Sequence, residues 1–209
     1  MRQKRKAKSE ERKIQGKIFV ISGPSGSGKT TLRDRVLGKS RLKKRFVKSV
    51  SFTTRRKRTG ERSGKDYFFI SPALFKRYLE TQKILEWTRY LGYYYATSRD
   101  FVARQLRAGR NIVLCLDLKG ALRVKQLFPG SAVTVFIKPP SLKELHKRIE
   151  GRCSKTKKAE VLKRLALARV ELKAAPRFDY RLVNKNLHQT VEALEGIILG
   201  ELGNRKGER

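Results

Sequence analysis

A glycine-rich segment near the start of the chain has the residue types and spacing of a nucleotide-binding loop. Residues 23 to 30 read Gly-Pro-Ser-Gly-Ser-Gly-Lys-Thr, a complete GxxxxGK[ST] pattern. The segment follows an apolar run over 17–22 and precedes a predicted helix over 29–37. A glycine-rich turn at such a junction directs backbone N–H groups and the positive helix end at an anion. The pattern therefore predicts that nucleotide phosphates bind here.

The lysine and the first threonine of this phosphate loop have separate expected tasks. Lys29 is expected to lie along the β and γ phosphates of ATP, and the Thr30 hydroxyl to bind Mg²⁺. The full predicted ATP-binding segment is Gly23, Pro24, Ser25, Gly26, Ser27, Gly28, Lys29, Thr30 and Thr31.

The elements that must position this loop alternate between strands and helices. Apolar runs predict strands over 17–22, 47–52, 111–117, 132–138 and 180–184. Helical patterns and caps predict helices over 29–37, 71–82, 98–108, 118–127, 141–150, 159–175 and 187–199, with Ser71 as a cap and Pro72 in the first turn. This order predicts an α/β fold with a parallel five-stranded core sheet flanked by helices.

Two regions interrupt the alternation. Residues 51–97 contain a basic loop and short aromatic strands at 67–70, 84–87 and 93–95, which predict a small sheet lobe. Residues 151–158 are polar and positively charged, which favours a flexible cover. A lobe for an acceptor and a basic cover are what phosphoryl transfer requires beside a phosphate loop.

The composition limits the class of protein further. The chain has 209 residues, of which 39% are hydrophobic, enough for one domain with a sizeable core. No apolar run approaches the roughly 18 to 20 residues of a membrane span, and no apolar stretch after the basic N-terminus resembles a signal peptide. We therefore expect a cytoplasmic protein without membrane contact. Cys115 and Cys153 lack metal-site spacing and are expected to be reduced thiols.

The formal net charge of +34 is the outlier of the composition. Residues 1–15 form a basic tail that carries only five of these charges, so the excess is spread over the body of the chain. Such a field attracts polyanions, and it leaves open a weak, non-specific association with nucleic acid. The alternative is a solvated surface without a partner.

Several ordered motifs carry a resemblance to one family. Residues 51 to 67 read Ser-Phe-Thr-Thr-Arg-Arg-Lys-Arg-Thr-Gly-Glu-Arg-Ser-Gly-Lys-Asp-Tyr, which resembles the acceptor segment SxTTRxxRxGExxGxxY of guanylate kinases. The likeness runs from about 17 to 200 and includes 86–87, 92–98, 116–120, 139–141, 148–152, 163–165 and 182–184. It implies a P-loop nucleoside monophosphate kinase fold. The implied division is a core (16–50, 98–140, 159–200), a GMP-binding lobe (51–97), a lid (141–158) and a charged tail (201–209).

The resemblance also implies roles for individual residues. The implied GMP-binding set consists of Ser51, Arg55, Arg58, Glu61, Tyr67, Glu86, Tyr95, Thr97 and Asp117. Within it, Arg55, Arg58, Tyr67 and Tyr95 would hold the phosphate, and Ser51, Glu86, Thr97 and Asp117 would recognise guanine. The implied catalytic set is Lys29, Arg55, Arg148, Arg152 and Arg164, the last three closing over the transferred group. Asn184 would contact the adenine side of ATP, although a turn-forming Asn before a helix is a second interpretation.

The implied reaction is Mg²⁺-dependent transfer of the ATP γ-phosphate to GMP, and also to dGMP, giving GDP and ADP. Four departures from the family pattern accompany it, namely Cys115 for an aspartate, Ala96 and Cys153 for glycines, and Lys185 for an acidic residue. The alternatives are a binding module that has lost catalysis and a basic protein that associates with nucleic acid on this fold. The pattern leaves monomer and homodimer equally open.

Overall fold

The computed structural model describes residues 16–151 and 158–203. The predicted basic tail 1–15 and residues 152–157 of the predicted cover lie outside this range, as do residues 204–209. Across the described part of the chain, no helix is both long and apolar enough to cross a membrane.

A parallel sheet of five strands forms the centre of the molecule. Its strands are β1 (Ile18–Ser22), β2 (Phe46–Lys48), β7 (Asn111–Cys115), β8 (Ala132–Lys138) and β9 (Tyr180–Val183). They lie in the order β2-β7-β1-β8-β9, and each neighbouring pair is parallel. This confirms the predicted α/β architecture.

A second sheet of four strands forms the small lobe. Its strands are β3 (Phe52–Thr53), β4 (Phe68–Phe69), β5 (Ile84–Tyr90) and β6 (Tyr93–Ser98), in the order β4-β3-β6-β5. These strands fall almost entirely within 51–97, although the division of the chain into core, lobe and lid stays a prediction.

Most of the helices cover the core sheet or connect its strands, whereas the helix over Pro72–Glu80 packs on the small sheet. They are α1 (Lys29–Gly38), α2 (Ser40–Lys43), α3 (Pro72–Glu80), α4 (Arg99–Arg107), α5 (Leu118–Leu127), α6 (Leu142–Glu150), α7 (Lys158–Lys173) and α8 (Leu187–Gly203), with a short 3-10 turn at Ala175–Arg177. The last helix continues past the predicted end at 199 and the predicted tail boundary at 201. Lys17 Nζ donates to Glu201 Oε2 at 2.8 Å, which ties this helix end to the start of β1.

The central strand is apolar at almost every position because both of its faces are covered. Ile18 and Val20 pack into one apolar cluster, whereas Phe19 and Ile21 pack into a second one on the opposite face. All four side chains are buried. The sheet thus has a packed layer on each side, and β1 delivers the phosphate loop from its middle.

The predicted strand over 47–52 is wrong as a single element. Its first part belongs to β2, which pairs with β7 in the core sheet, and its end belongs to β3, which pairs with β4 and β6 in the small sheet. Residues 49–51 carry the chain from one sheet to the other. The apolar pattern continues across this passage, so it could not reveal the change of partner.

Side-chain caps fix the helix starts that the sequence predicted. Ser71 accepts a hydrogen bond from Leu74 N at 3.1 Å, with Pro72 as the first helical residue, and Ser98 accepts one from Phe101 N at 3.3 Å. The predicted cap at Ser71 is therefore confirmed. Ser98 ends β6 and caps α4, so it sets the junction between the small lobe and the core.

Candidate active site

The phosphate loop connects β1 to α1 at the carboxyl edge of the core sheet. Gly23 has a φ of 136°, and a Cβ on it would lie 2.2 Å from the carbonyl oxygen of Ile137 in β8. Glycine is required there by both conformation and space. Lys29 Nζ donates to Gly23 O at 2.5 Å and to Pro24 O at 3.0 Å. The side chain of Lys29 therefore folds back over the phosphate loop.

Asn184 supports this loop from the side of β9. Its Nδ2 donates to Ser27 O at 2.8 Å, and its own backbone N–H donates to Lys138 O at 2.8 Å. The side chain is buried, and a Cβ on Gly28 would lie 2.4 Å from its Nδ2. The structure thus gives Asn184 a positioning role that the sequence did not indicate. Its predicted contact with adenine stays a prediction.

The predicted phosphate-binding residues of the small lobe surround Arg55. Glu61 accepts from Arg55 Nη2 at 2.7 Å and from Nη1 at 3.1 Å, and its Oε2 also accepts from the backbone N–H of Arg58 at 2.8 Å. The hydrogen bonds from Arg55 lower the pKa of Glu61, against a smaller opposing effect of burial. Glu61 therefore fixes the conformation of the loop that contains Arg55 and Arg58. Its predicted contact with GMP stays a prediction.

Two tyrosines complete this cluster. The guanidinium of Arg55 lies 5.6 Å from the ring centre of Tyr67, and Tyr67 packs edge-on against Tyr95 with ring centres 5.8 Å apart. Arg55, Tyr67 and Tyr95 thus converge, as predicted for one phosphate. The Arg58 residue is exposed at the rim of the loop.

The predicted guanine-recognising residues meet where β5, β6 and α5 come together. Thr97 Oγ1 donates to Glu86 Oε1 at 2.5 Å, and both residues are buried. Burial raises the pKa of Glu86 to about 7, the Thr97 hydrogen bond acts in the opposite direction, and the charge of Asp117 adds to the rise. A desolvated carboxylate of this kind is well suited to accept hydrogen bonds from the N–H groups of a nucleobase.

Asp117 approaches the same pocket from the core. Its Oδ1 accepts from Gly120 N at 2.9 Å and caps α5. A Cβ on Gly120 would lie 2.4 Å from Glu86 Oε2 and 3.2 Å from Asp117 Oδ1, so only glycine fits between the two carboxylates. Gly120 belongs to a motif in the sequence, but nothing in the sequence alone assigned it this task.

Ser51, the fourth residue predicted to recognise guanine, is half-buried, and its carbonyl oxygen accepts a hydrogen bond from Phe68 N at 2.9 Å.

Two of the three predicted closing arginines are each held by a carboxylate one helical turn before them. Arg148 Nε donates to Glu144 Oε1 at 3.0 Å, and its Nη2 donates to the carbonyl oxygen of Asn184 at 3.3 Å. Arg164 forms an ion pair with Glu160, and its side chain is only 12% exposed. Arg164 is thus not a surface residue with its head group in water. Arg152, the third predicted residue, lies outside the described residues.

Glu171 is a partly buried carboxyl group on α7 that no sequence motif singled out. It lies two turns after Arg164 on α7, and burial raises its pKa, while the charge of Lys29 opposes the rise and that of Asp117 adds to it. Because the charges of both Lys29 and Asp117 affect its pKa, the Glu171 carboxyl group lies near the junction of the phosphate loop and α5. The seven-residue spacing from Arg164 was the available signal, because it places the two on one helix face.

Cys115 and Thr30 lie near each other where the phosphate loop is predicted to bind Mg²⁺. The Cys115 thiol is free and donates weakly to Lys29 O at 3.9 Å, and burial raises its pKa, so it stays neutral at neutral pH. Thr30 is exposed, which leaves its hydroxyl accessible to a hydrated ion. Within residues 16–151 and 158–203, no three His, Cys, Asp or Glu side chains are grouped to hold a metal alone. A single accessible hydroxyl at Thr30 fits Mg²⁺, which keeps several waters and is bound largely through substrate phosphates.

The fold and the site together define a phosphate-loop kinase. The family model described as guanylate kinase matches residues 15–201. The guanylate kinase of Gloeobacter violaceus is 44% identical over 186 residues, covering 89% of this chain and 88% of that protein. The guanylate kinase of Thermotoga maritima is 43% identical over 188 residues, covering 90% of this chain and 88% of that protein.

Structural comparison agrees with the sequence match. The crystal structure of guanylate kinase from Anaplasma phagocytophilum has a TM-score of 0.73 and 30% sequence identity, over 89% of this chain and 86% of that one. The chain belongs to the guanylate kinase family.

Proposed function

We infer that this chain transfers the γ-phosphate of ATP to GMP, giving ADP and GDP. The observation that carries this conclusion is the buried pair of Glu86 and Thr97 in the small lobe, facing Asp117 of the core. A carboxylate there can accept from the ring N1–H and the exocyclic amine of guanine. The family to which the chain belongs supports the same reaction.

Guanine is favoured over adenine by the cost of unpaired buried groups. Adenine presents an acceptor at N1 and an amine in place of the guanine oxygen, so it would leave the Glu86 carboxylate without its donors. Each buried polar group without a partner costs about 1 to 3 kcal/mol. Two or more such losses give a discrimination on the order of a hundredfold or greater.

The reaction depends on alignment and charge neutralisation, with no side chain acting as a base. The attacking oxygen of GMP belongs to a phosphate that is already ionised at neutral pH. Arg55 and Tyr67 hold that phosphate, while Lys29 and the loop amides hold the donor. Arg148 and Arg164 neutralise charge on the transferred group, and Arg152 is proposed to do the same.

Mg²⁺ is proposed as the cofactor, with the Thr30 hydroxyl as its ligand from the protein. When bound, the ion would neutralise charge on the ATP phosphates. The exposure of Thr30 and the lack of a grouped metal site in the described residues support an ion that arrives with ATP. We also propose dGMP as an acceptor.

The experiment that tests the function compares acceptors in a coupled assay of ADP formation with ATP and Mg²⁺. GMP and dGMP should be phosphorylated, while AMP and UMP should react at least about a hundredfold more slowly. Formation of ADP with a ribose phosphate but not with GMP would contradict the assignment. A binding module without catalysis is not favoured, because the phosphate loop, Arg55 and Arg164 are all present.

The large positive charge supports one further proposal, a weak and salt-dependent association with nucleic acid. A filter-binding titration with RNA at rising salt tests it, and absence of retention at low ionic strength would contradict it. A cytoplasmic location and a monomeric or homodimeric state are proposed with the function.

A further inference from the structure

The amino edge of the core sheet carries a surface cavity that basic residues line. Because all five strands are parallel, their first residues lie at the edge opposite the phosphate loop. The cavity has a volume of about 250 Å³, and its lining consists of Lys44, Arg45, Gly109, Arg110, Asn111 and Leu202. Lys44 and Arg45 lead into β2, and Arg110 leads into β7, which is its neighbour in the sheet. The kinase reaction uses none of these three cations.

Asn111 fixes the relative position of the strand starts around this cavity. Its Nδ2 donates to Arg45 O at 3.2 Å, its Oδ1 accepts from Lys17 N at 2.9 Å, and the residue is buried. Gly16 packs so closely that a Cβ on it would lie 2.2 Å from the carbonyl oxygen of Arg110. The backbone that carries the basic side chains is therefore held by the core sheet.

The segments that form this edge contain many basic residues and no acidic ones. Residues 39–48 and 104–111 together have nine Lys and Arg side chains and no Asp or Glu. Two of the nine, Lys39 and Lys48, form ion pairs with carboxylates of other segments. The other seven are exposed and have no ion-pair partner among the residues that the structure describes. We call these seven the amino-edge basic surface: Arg41, Lys43, Lys44, Arg45, Arg104, Arg107 and Arg110.

The carboxylate next to Leu202 does not offset this charge, because it is already paired. Glu201 Oε2 accepts from Lys17 Nζ at 2.8 Å, and Glu201 Oε1 accepts from Tyr180 Oη at 2.8 Å. The amino-edge basic surface therefore keeps its positive charge for a partner from outside.

The composition of the surface indicates which polyanion it fits. Five of its seven residues are arginines, whose planar guanidinium groups match phosphate oxygens. None of the large exposed hydrophobic side chains of the described residues belongs to 39–48 or 104–111. The surface thus lacks both the aromatic groups on which unpaired bases stack and the apolar groups that enter a lipid interface. A double helix, with its phosphates outside and its bases stacked within, needs neither.

We propose that the amino-edge basic surface binds the phosphate backbone of double-helical nucleic acid, without regard to sequence. The proposal assigns a surface to the nucleic-acid association proposed above. The surface and the phosphate loop lie at opposite edges of the sheet, so both can be occupied while the kinase reaction proceeds.

The test measures binding of a short RNA duplex of mixed sequence by fluorescence anisotropy, between about 50 and 200 mM salt. The edge variant of the full chain combines Lys44→Gln, Arg45→Gln and Arg110→Gln. The matched control combines Arg77→Gln, Lys83→Gln and Arg123→Gln, which are exposed positions on the small lobe and α5. Each variant removes one lysine and two arginines, so the two have the same net charge.

The edge variant should lose both affinity and salt dependence. Each lost phosphate contact makes the slope of log affinity against log salt concentration shallower by about 0.9. The slope should therefore fall by about 2 to 3, and the affinity at the lowest salt by at least about tenfold. The control variant should bind within about threefold of the wild type. If the edge variant melts at a lower temperature, Arg110→Gln alone replaces it, with an expected slope change of about 0.9.

Three outcomes would overturn the proposal. Equal losses in the edge and control variants would mean that only net charge matters. Displacement of the duplex by saturating ATP and GMP would place it at the active site. Loss of binding to phosphatidylserine vesicles in the edge variant, with duplex binding unchanged, would make the surface a membrane contact.

Kinase activity is a separate readout and should be unchanged in both variants. If the wild type bound no duplex at the lowest salt, this proposal and the nucleic-acid association would both be overturned. The kinase assignment would stand, because it depends only on ADP formation with GMP. Absence of that activity with duplex binding intact would overturn the kinase assignment and leave the surface in place.

Discussion

Gly120 and Glu86 touch across the junction of the core and the small lobe, so closely that a methyl group on Gly120 would lie 2.4 Å from Glu86 Oε2. The contact joins the first turn of α5 to β5. Asp117 caps the same helix and borders the same carboxylate. The position of the Glu86 carboxylate, which is proposed to recognise guanine, is therefore set by the absence of a side chain at Gly120.

Replacing Gly120 with alanine should displace Glu86 and weaken guanine recognition. We expect KM for GMP to rise by about tenfold or more, the effect of losing one charged hydrogen bond, with KM for ATP unchanged. The control is Gly196→Ala in α8, where nothing lies within 4 Å of the new Cβ. An unchanged KM for GMP in Gly120→Ala would show that the contact does not position the carboxylate.

The raised pKa of Glu86 predicts how base recognition depends on pH. Guanine needs the ionised carboxylate, and the pKa of Glu86 is raised to about 7 in the free protein. Affinity should therefore increase as pH rises, by about tenfold per unit below 7, and level off above it. Guanosine is the ligand to use, because it has no phosphate that titrates in this range. A flat profile in the wild type would contradict the shift.

The same shift predicts the sign of a stability effect, which Glu86→Gln serves to isolate. Between the ordinary value of 4.5 and about 7, the folded state holds a proton that the unfolded state has released. Stability relative to Glu86→Gln should therefore fall as pH rises through this window, by up to about 3 kcal/mol. Urea unfolding of both proteins at pH 4.5 and 7.5 measures the difference, and the Gln variant should also lose the pH dependence of guanosine binding.

The carboxylate of Glu61 should matter only for the acceptor phosphate. Glu61→Gln removes the charge that holds Arg55 through two hydrogen bonds, so KM for GMP should rise by about tenfold. Guanosine binding should be unchanged, since Arg55 contacts Glu61 and Tyr67 of the predicted phosphate cluster and guanosine has no phosphate. Glu80→Gln is the control, because it breaks only an exposed pair with Lys76 in the same lobe. Equal losses for GMP and guanosine would show a general disturbance of the lobe instead.

Removing the amide of Asn184 should loosen the phosphate loop. Asn184→Ala leaves the Ser27 carbonyl without its buried donor, which costs about 1 to 3 kcal/mol of stability and weakens ATP binding. Asn184→Asp should be worse than alanine, because it places a carboxylate against a carbonyl oxygen. Urea unfolding and ATP titration measure both effects. If the aspartate variant bound ATP as tightly as the wild type, the Ser27 contact would not support the loop.

The sequence predicted the features that depend on local pattern. The phosphate loop, the alternation of strands and helices, and the cap at Ser71 each follow from residues that are neighbours along the chain. The structure brings Arg55, Tyr67 and Tyr95 together as the family resemblance implied. Their roles toward a bound substrate stay predictions.

Contacts between distant segments could not be predicted in the same way. Gly120 and Glu86 are far apart in sequence, as are Asn184 and Ser27, so no local pattern relates the members of either pair. The division of 47–52 between two sheets has the same cause, because the choice of partner strand is tertiary.

The most direct measurement follows the γ-phosphate itself. The purified chain is incubated with γ-³²P-labelled ATP, Mg²⁺ and either GMP or AMP, and the labelled products are separated. Label should appear in GDP when GMP is the acceptor, with at most a trace in ADP when AMP replaces it. Label that stays in ATP or is released only as inorganic phosphate in the presence of GMP would contradict the assignment of this chain as an ATP:GMP phosphotransferase.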